Sequence, residues 1–210
     1  MQIFLIRYLL LSSGLLVLAG CSSSYRQLQA VEGNASCLDQ FRPQFTTAIY
    51  TTQVNITGNY LSGLLFIKTM PDSSTRLVFS NEMGISFFDF EFDPRGGFKV
   101  HYIIKKMNRK AILKTLRQDF ELVLMRSLNM NEARIFKNND RMYYSFPQKK
   151  GSNYYITDLN CTTMLAIEKA SGKKAVVTVV MKDYSKGIPD TIGISHTNFP
   201  FTIGLKRLQQ

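Results

Sequence analysis

The chain has 210 residues, with 26 Lys and Arg against 15 Asp and Glu, a formal net charge of +11, and 45% hydrophobic residues. That composition supports one domain with a sizeable core and excludes a chain disordered throughout. Basic charge in a cytoplasmic protein would raise nucleic acid as a partner, but the N-terminal residues argue for export and against that partner.

Arg7 is the only charge before Cys21, and Tyr8-Leu9-Leu10-Leu11 and Leu15-Leu16-Val17-Leu18 are apolar. A positive residue followed by a short apolar core has the layout of a secretory signal; a stable membrane span takes roughly 20 apolar residues. The core ends in Leu18-Ala19-Gly20-Cys21, with small residues just before the thiol. This resembles the lipobox of bacterial lipoproteins. The resemblance implies cleavage in front of Cys21, a diacylglycerol on its sulfur and an acylated amino end. Two or more acyl chains anchor stably, at about 0.8 kcal/mol per buried methylene. Ser22-Ser23-Ser24 follows, and no acidic residue occurs before Glu32. By resemblance to lipoprotein sorting rules, that implies the periplasmic face of the outer membrane. The expected organisation is a signal peptide over 1–20, a lipidated tether over 21–36 and a single domain over 37–210.

Export leaves the basic surface facing anionic head groups or envelope polymers, or simply solvated. With Cys21 acylated, Cys37 and Cys161 remain, an even pair in a compartment where disulfides persist. Either they bridge, closing a loop worth about 4–5 kcal/mol in the chain-entropy model, or they are two separate buried thiols.

From Gln44 the sequence alternates as half-buried strands do. Strands are expected over Thr46–Ile56, Tyr60–Lys68, Arg76–Asn81, Ile85–Phe92 and Phe98–Ile104. Leu64 and Phe66 are read as one inward face, Leu77 and Phe79 as another. Phe88 and Phe90 form a third, and Tyr102 shares a fourth with Phe98 and Val100. The period then changes. From Asn108 to about Arg126, Ile112, Leu116, Phe120, Val123 and Leu124 recur at helical spacing, with Lys110, Lys114, Arg117 and Glu121 on another face, predicting an amphipathic helix of about five turns. Strand patterns return at Arg141–Phe146, Tyr154–Asp158, Met164–Lys169, Ala175–Lys182, Thr191–His196 and Phe201–Leu208.

About ten or eleven strands around one helix are too many for a flat sheet. The expected fold is mainly β with α: a curled antiparallel sheet, an incomplete barrel, wrapped around one long amphipathic helix. The element order resembles the LolA/LolB-like lipoprotein carriers, best over Leu61-Ser62-Gly63-Leu64-Leu65-Phe66-Ile67-Lys68, Arg76-Leu77-Val78-Phe79 and Gly84-Ile85-Ser86-Phe87-Phe88-Asp89-Phe90. In that architecture helices cover a hydrophobic cavity on the sheet.

Residues that could carry chemistry are few. His101 and His196 are the only histidines; metal-ligand spacings, a nucleophile elbow and a phosphate-cradling loop are absent. His101 reads as a surface residue beside Lys99 and Lys105. Asp89 and Glu91 lie about 7 Å apart on one strand face, a spacing that suits paired carboxylates and suits the solvated side of a strand better. No enzyme, metal or cofactor is expected. The expected apolar lining combines Leu64, Phe66, Leu77, Phe79, Phe88 and Phe90 with Tyr102, Leu116, Phe120 and Phe201, and Met107, Met125 and Met130 suit a forgiving lining. That lining either packs dry or holds an apolar ligand such as a lipid or acyl chain. The alternative function is an envelope scaffold or complex subunit with a filled core, meeting a protein partner through its basic surface. Asp190-Thr191-Ile192 resembles the Asp-Ser/Thr-aliphatic pattern for O-glycosylation, which would place a glycan on Thr191.

Overall fold

The computed structural model describes residues 25, 27–56, 58–126, 128–172 and 174–208. The expected signal peptide and Cys21 lie outside the described residues. Thirteen strands form one antiparallel sheet: β1 (Gln29–Ala30), β2 (Thr47–Ile56), β3 (Asn59–Thr69), β4 (Thr75–Ser80), β5 (Ser86–Phe92), β6 (Phe98–Ile103), β7 (Arg134–Asn138), β8 (Arg141–Pro147), β9 (Ser152–Asp158), β10 (Met164–Ser171), β11 (Lys174–Ser185), β12 (Ile188–His196) and β13 (Phe201–Arg207). Their spatial order is β1-β7-β8-β9-β10-β11-β12-β13-β2-β3-β4-β5-β6. Among the described residues β1 and β6 are therefore the edges, and the sheet does not close into a barrel. Hairpins join nearly every neighbour; the join of β13 to β2 brings the C-terminal strand beside the first long one. Among the described residues one α-helix, α1 (Lys110–Val123), connects β6 to β7.

Local chemistry accounts for these elements. Alternation along β2 buries Ala48, Tyr50, Thr52 and Val54 on one face, the period-two signature of a strand with one packed side. The β11–β12 hairpin turns through Lys186 and Gly187, both with φ near the left-handed region, as a two-residue turn matched to sheet twist demands. Asn139, at φ 49°, serves the β7–β8 turn in the same way. On β3, a Cβ placed on Gly63 would lie 2.0 Å from the Ser80 carbonyl oxygen. Only glycine lets β4 end so close.

α1 has 14 residues, shorter than the expected five turns. It stops because Met125 takes a left-handed φ of 48°, with Arg126 N–H donating to the Glu121 carbonyl and Met125 N–H to that of Leu122. This is a Schellman ending built without glycine. Leu116, Asp119, Phe120, Leu122 and Val123 are buried, and the Phe120 ring meets that of Phe88, centroids 5.9 Å apart. The face of the sheet that receives α1 is its inner face.

Two strands go beyond the expected ten or eleven. β1 is only two residues long, and β7 pairs Arg134–Asn138 with Arg141–Ser145; neither has an apolar alternation long enough to read. Part of the segment expected as a tether is folded onto the sheet. Tyr25 stacks on Tyr154 at 4.4 Å and donates to Glu168 at 2.5 Å, and Val31 N–H donates to the Ile135 carbonyl. A 3-10 turn over Ser36–Phe41 buries Leu38 and Phe41. A disulfide joins Cys37 to Cys161 across 124 residues, and Gln40 donates to the Cys161 carbonyl, tying this turn to the β9–β10 connection. Among the described residues no helix is long and apolar enough to cross a membrane.

Candidate functional site

A cavity of about 530 Å³ lies between the N-terminal half of α1 and the inner face of the sheet. Its floor comes from β2 (Thr52, Val54, Ile56), β3 (Leu61, Leu65), β4 (Phe79), β5 (Phe88) and β13 (Phe201, Ile203). Its roof is Ile112, Leu116 and Phe120 of α1. Sheet register builds the floor: Val54 pairs with Leu61 and with Ile203, and Leu65 pairs with Phe79, which pairs with Phe88. Four adjacent strands and β13 thus set apolar side chains side by side. The turn between β6 and α1 completes the wall with Ile104, Lys106, Met107 and Arg109. Met107 and Asn108 N–H groups both donate to the Ile104 carbonyl, which holds this turn tight. Asn59, Tyr60, Lys106 and Arg109 are exposed and form the mouth.

The C-terminal half of α1 is fixed firmly. Arg117 donates to Glu121 at 2.8 Å and to the Gly96 carbonyl, and its guanidinium lies 5.4 Å over the Phe98 ring. Arg126 donates to the Asp93 carbonyl and covers the Phe92 ring. Both arginines clasp the β5–β6 turn, and the N-terminal half, with Ile112 and Leu116 turned inward, is left above the cavity.

Of the residues expected to line an apolar site, Phe79, Phe88, Leu116, Phe120 and Phe201 surround this cavity. Leu77 and Phe90 are fully buried on the same face, packed into the core beside it. Met125 is buried in that core and Met130 packs against it, while Met107 lines the cavity. Three expected residues point elsewhere. Leu64 and Phe66 sit on the outer face, because Leu65 and Ile67 take the inner one, and Phe66 is 37% exposed. Leu64 to Ile67 is an unbroken apolar run, so alternation does not choose a face; pairing of Leu65 with the buried Tyr50 does. Tyr102 is 49% exposed. A register shift on β6 pairs Val100 with Phe90 and Tyr102 with Asp89, leaving His101 as the extra residue. The bulge turns Tyr102 outward and Ile103 inward.

Thr52, Val54, Ile56, Leu61, Leu65, Ile112, Ile203, Lys106 and Arg109 also line the cavity and are not among the expected site residues. The alternation of Tyr50, Thr52, Val54 and Ile56 could have signalled the first three. Lys106 and Arg109 flank Met107 where the strand period ends, and no pattern marks them.

Asp89, Glu91 and both histidines are engaged away from the cavity. Arg76 grips Asp89 with two bonds at 2.7 and 2.9 Å, and Glu91 meets His101 at 2.7 Å. These carboxylates are engaged on the outer face, Asp89 in an ion pair and Glu91 in a hydrogen bond. His196, which the sequence places on a strand, turns its side chain inward, and its Nε2 lies 3.0 Å from Asp119 Oδ2, with both side chains at most 5% exposed. Phe199 and Phe201 flank the imidazole. Burial pushes the Asp119 carboxyl above its ordinary value, and the His196 hydrogen bond with the charges of His196 and Lys169 opposes that. Asp119 Oδ1 has no hydrogen-bond partner among the described residues. This pair comes from residues 77 apart and joins α1 to β12, so no local pattern reveals it. Thr191 is exposed on β12, between Lys182 and Lys206 of the neighbouring strands, and Asp190 is paired with Arg207. Among the described residues no group of three or more His, Cys, Asp or Glu could hold a metal ion.

No protein-family model matches the chain, and no curated protein matches it. Similar solved structures include two at low identity. One is a DUF1329 family protein from Desulfovibrio piger, with TM-score 0.45, 11% identity, and coverage of 83% of this chain and 88% of that one. The other is a domain described as an outer membrane lipoprotein-sorting protein, from Vibrio parahaemolyticus, with TM-score 0.44, 12% identity, and coverage of 84% and 90%.

Proposed function

We propose that the chain is a non-enzymatic lipoprotein of the outer membrane's periplasmic face, whose open half-barrel holds or passes on an apolar ligand such as an acyl chain. The observation that carries this reading is the cavity of about 530 Å³ walled by Val54, Leu61, Leu65, Phe79, Phe88, Leu116 and Phe120. A dry core would bring α1 down onto β2 and β3. Here its N-terminal half leaves space of the size that ligand sites occupy, about 300–1,000 Å³. A thirteen-stranded twisted sheet curls, and the one α-helix among the described residues, 14 residues long, is too short to fill the hollow it makes. The lipobox Leu18-Ala19-Gly20-Cys21 supports anchoring, and the resemblance to LolA/LolB-like carriers agrees with a cavity under a helix.

The test has two readouts. Cells grown with labelled palmitate should label the protein, and Cys21→Ala should lose the label. Solvent extraction of the purified full chain should release an apolar molecule that is not covalently attached; an empty extract removes the carrier role whatever the anchor does. A scaffold reading has a separate observation, in an apolar strip rather than the basic surface expected from sequence: the outward Phe66 with Leu64 and Val78 beside it. In-cell crosslinking through that strip to a stable protein partner would favour it.

A further inference from the structure

We infer that the cavity takes a single-chain anionic amphiphile, its head group held at the mouth by Lys106 and Arg109. This rests on the carrier reading and adds the charge and size of the ligand. The wall is sharply divided by chemistry. Its depth is aliphatic and aromatic, from Val54, Leu65, Phe79, Phe88, Leu116 and Phe120, while its two charged lining residues, Lys106 and Arg109, are both cations and both exposed at the rim. No carboxylate lines it. An uncharged hydrocarbon would leave those cations with water; a cationic amphiphile would be repelled.

Neither Lys106 nor Arg109 has an ion-pair partner among the described residues, whereas Arg76, Arg117 and Arg207 each have one. Lys110 continues the basic cluster into the first turn of α1, which has no acidic residue and no side-chain cap at its start. Cations there oppose the positive end of the helix dipole. An anion seated between Lys106 and Arg109 would relieve that opposition. Size selects one chain. At about 30 Å³ for each water-sized group, a cavity of about 530 Å³ takes on the order of fifteen to twenty methylenes, one long acyl tail and not two.

The test uses membranes carrying the full chain and three photoreactive probes with the same diazirine-bearing dodecyl tail: the sulfonate, the alcohol and the trimethylammonium salt. Adducts are mapped to peptides of β2, β3 and α1 and compared between protein variants. The sulfonate should label the cavity best. Lys106→Ala/Arg109→Ala should lower its labelling about tenfold relative to that of the alcohol, the sum expected of two exposed charge contacts. Lys106→Glu/Arg109→Glu should reverse the order in favour of the ammonium probe. Both side chains are exposed, and the alcohol reports whether the cavity has survived in each variant. Equal labelling by all three probes, insensitive to either variant, overturns the head-group assignment and keeps the carrier. Labelling by none of them overturns both.

Discussion

Removing the Cys37–Cys161 bridge should weaken the fold strongly, by an amount set by loop length. The bridge spans 124 residues. With that loop the chain-entropy expression gives about 16.5 cal/mol/K, or ~5 kcal/mol at 25 °C. For a domain of this size each kcal/mol moves Tm by roughly 2–4 °C, so Cys37→Ala/Cys161→Ala should melt about 10–20 °C lower. The loss should be felt beyond the bond itself. The bridge holds the 3-10 turn carrying Leu38 and Phe41 against the β9–β10 connection, and Phe41 also accepts from the Tyr184 hydroxyl. Thermal unfolding of chains beginning at Ser22, with and without the two substitutions, measures the effect. Alkylation before and after reduction establishes the bond in the parent protein. Two alkylatable thiols in the unreduced protein would refute the bridge. A bridged protein whose double variant melts within about 3 °C of it would refute the loop-entropy reasoning.

Two further outcomes follow from the packing. Gly63→Ala should destabilise by about 1–3 kcal/mol in urea, as overpacked sites do, because the new methyl would meet the Ser80 carbonyl at 2.0 Å; an unchanged midpoint would mean β4 does not end against β3. The buried Asp119 carboxyl holds its proton to higher pH than it would in the unfolded chain. In the window between those two values the folded state binds more protons, so this group's contribution to stability falls as pH rises through it. Asp119→Asn should remove that slope, so the variant gains relative to the parent with rising pH in paired urea titrations; a drift in the opposite direction refutes the assignment.

The strands were legible wherever one face is polar. Phe88, Asp89, Phe90, Glu91 and Phe92 alternate so cleanly that β5 could be placed from its residues. Legibility failed where both faces are apolar, as at Leu64 to Ile67, and where a bulge resets the period, as at His101 on β6. It failed again for short edge pairs such as β1 with β7. The roof of the cavity, Leu116 and Phe120, could be read from helical spacing alone. The floor depends on β13 pairing with β2, a contact between chain ends that periodicity does not carry. The Asp119–His196 pair is hidden for the same reason.

The cavity itself can be probed with photo-leucine installed at one of two positions on β3. Leu61 lines the cavity, while Leu64, three residues on, pairs across the outer face with Thr51 and Ser80. Irradiated in living cells, the Leu61 position should capture an acyl-bearing molecule, seen as a mass increment on the β3 peptide, and the Leu64 position should not. Capture at neither position, or equal capture at both, would contradict a ligand held on the inner face.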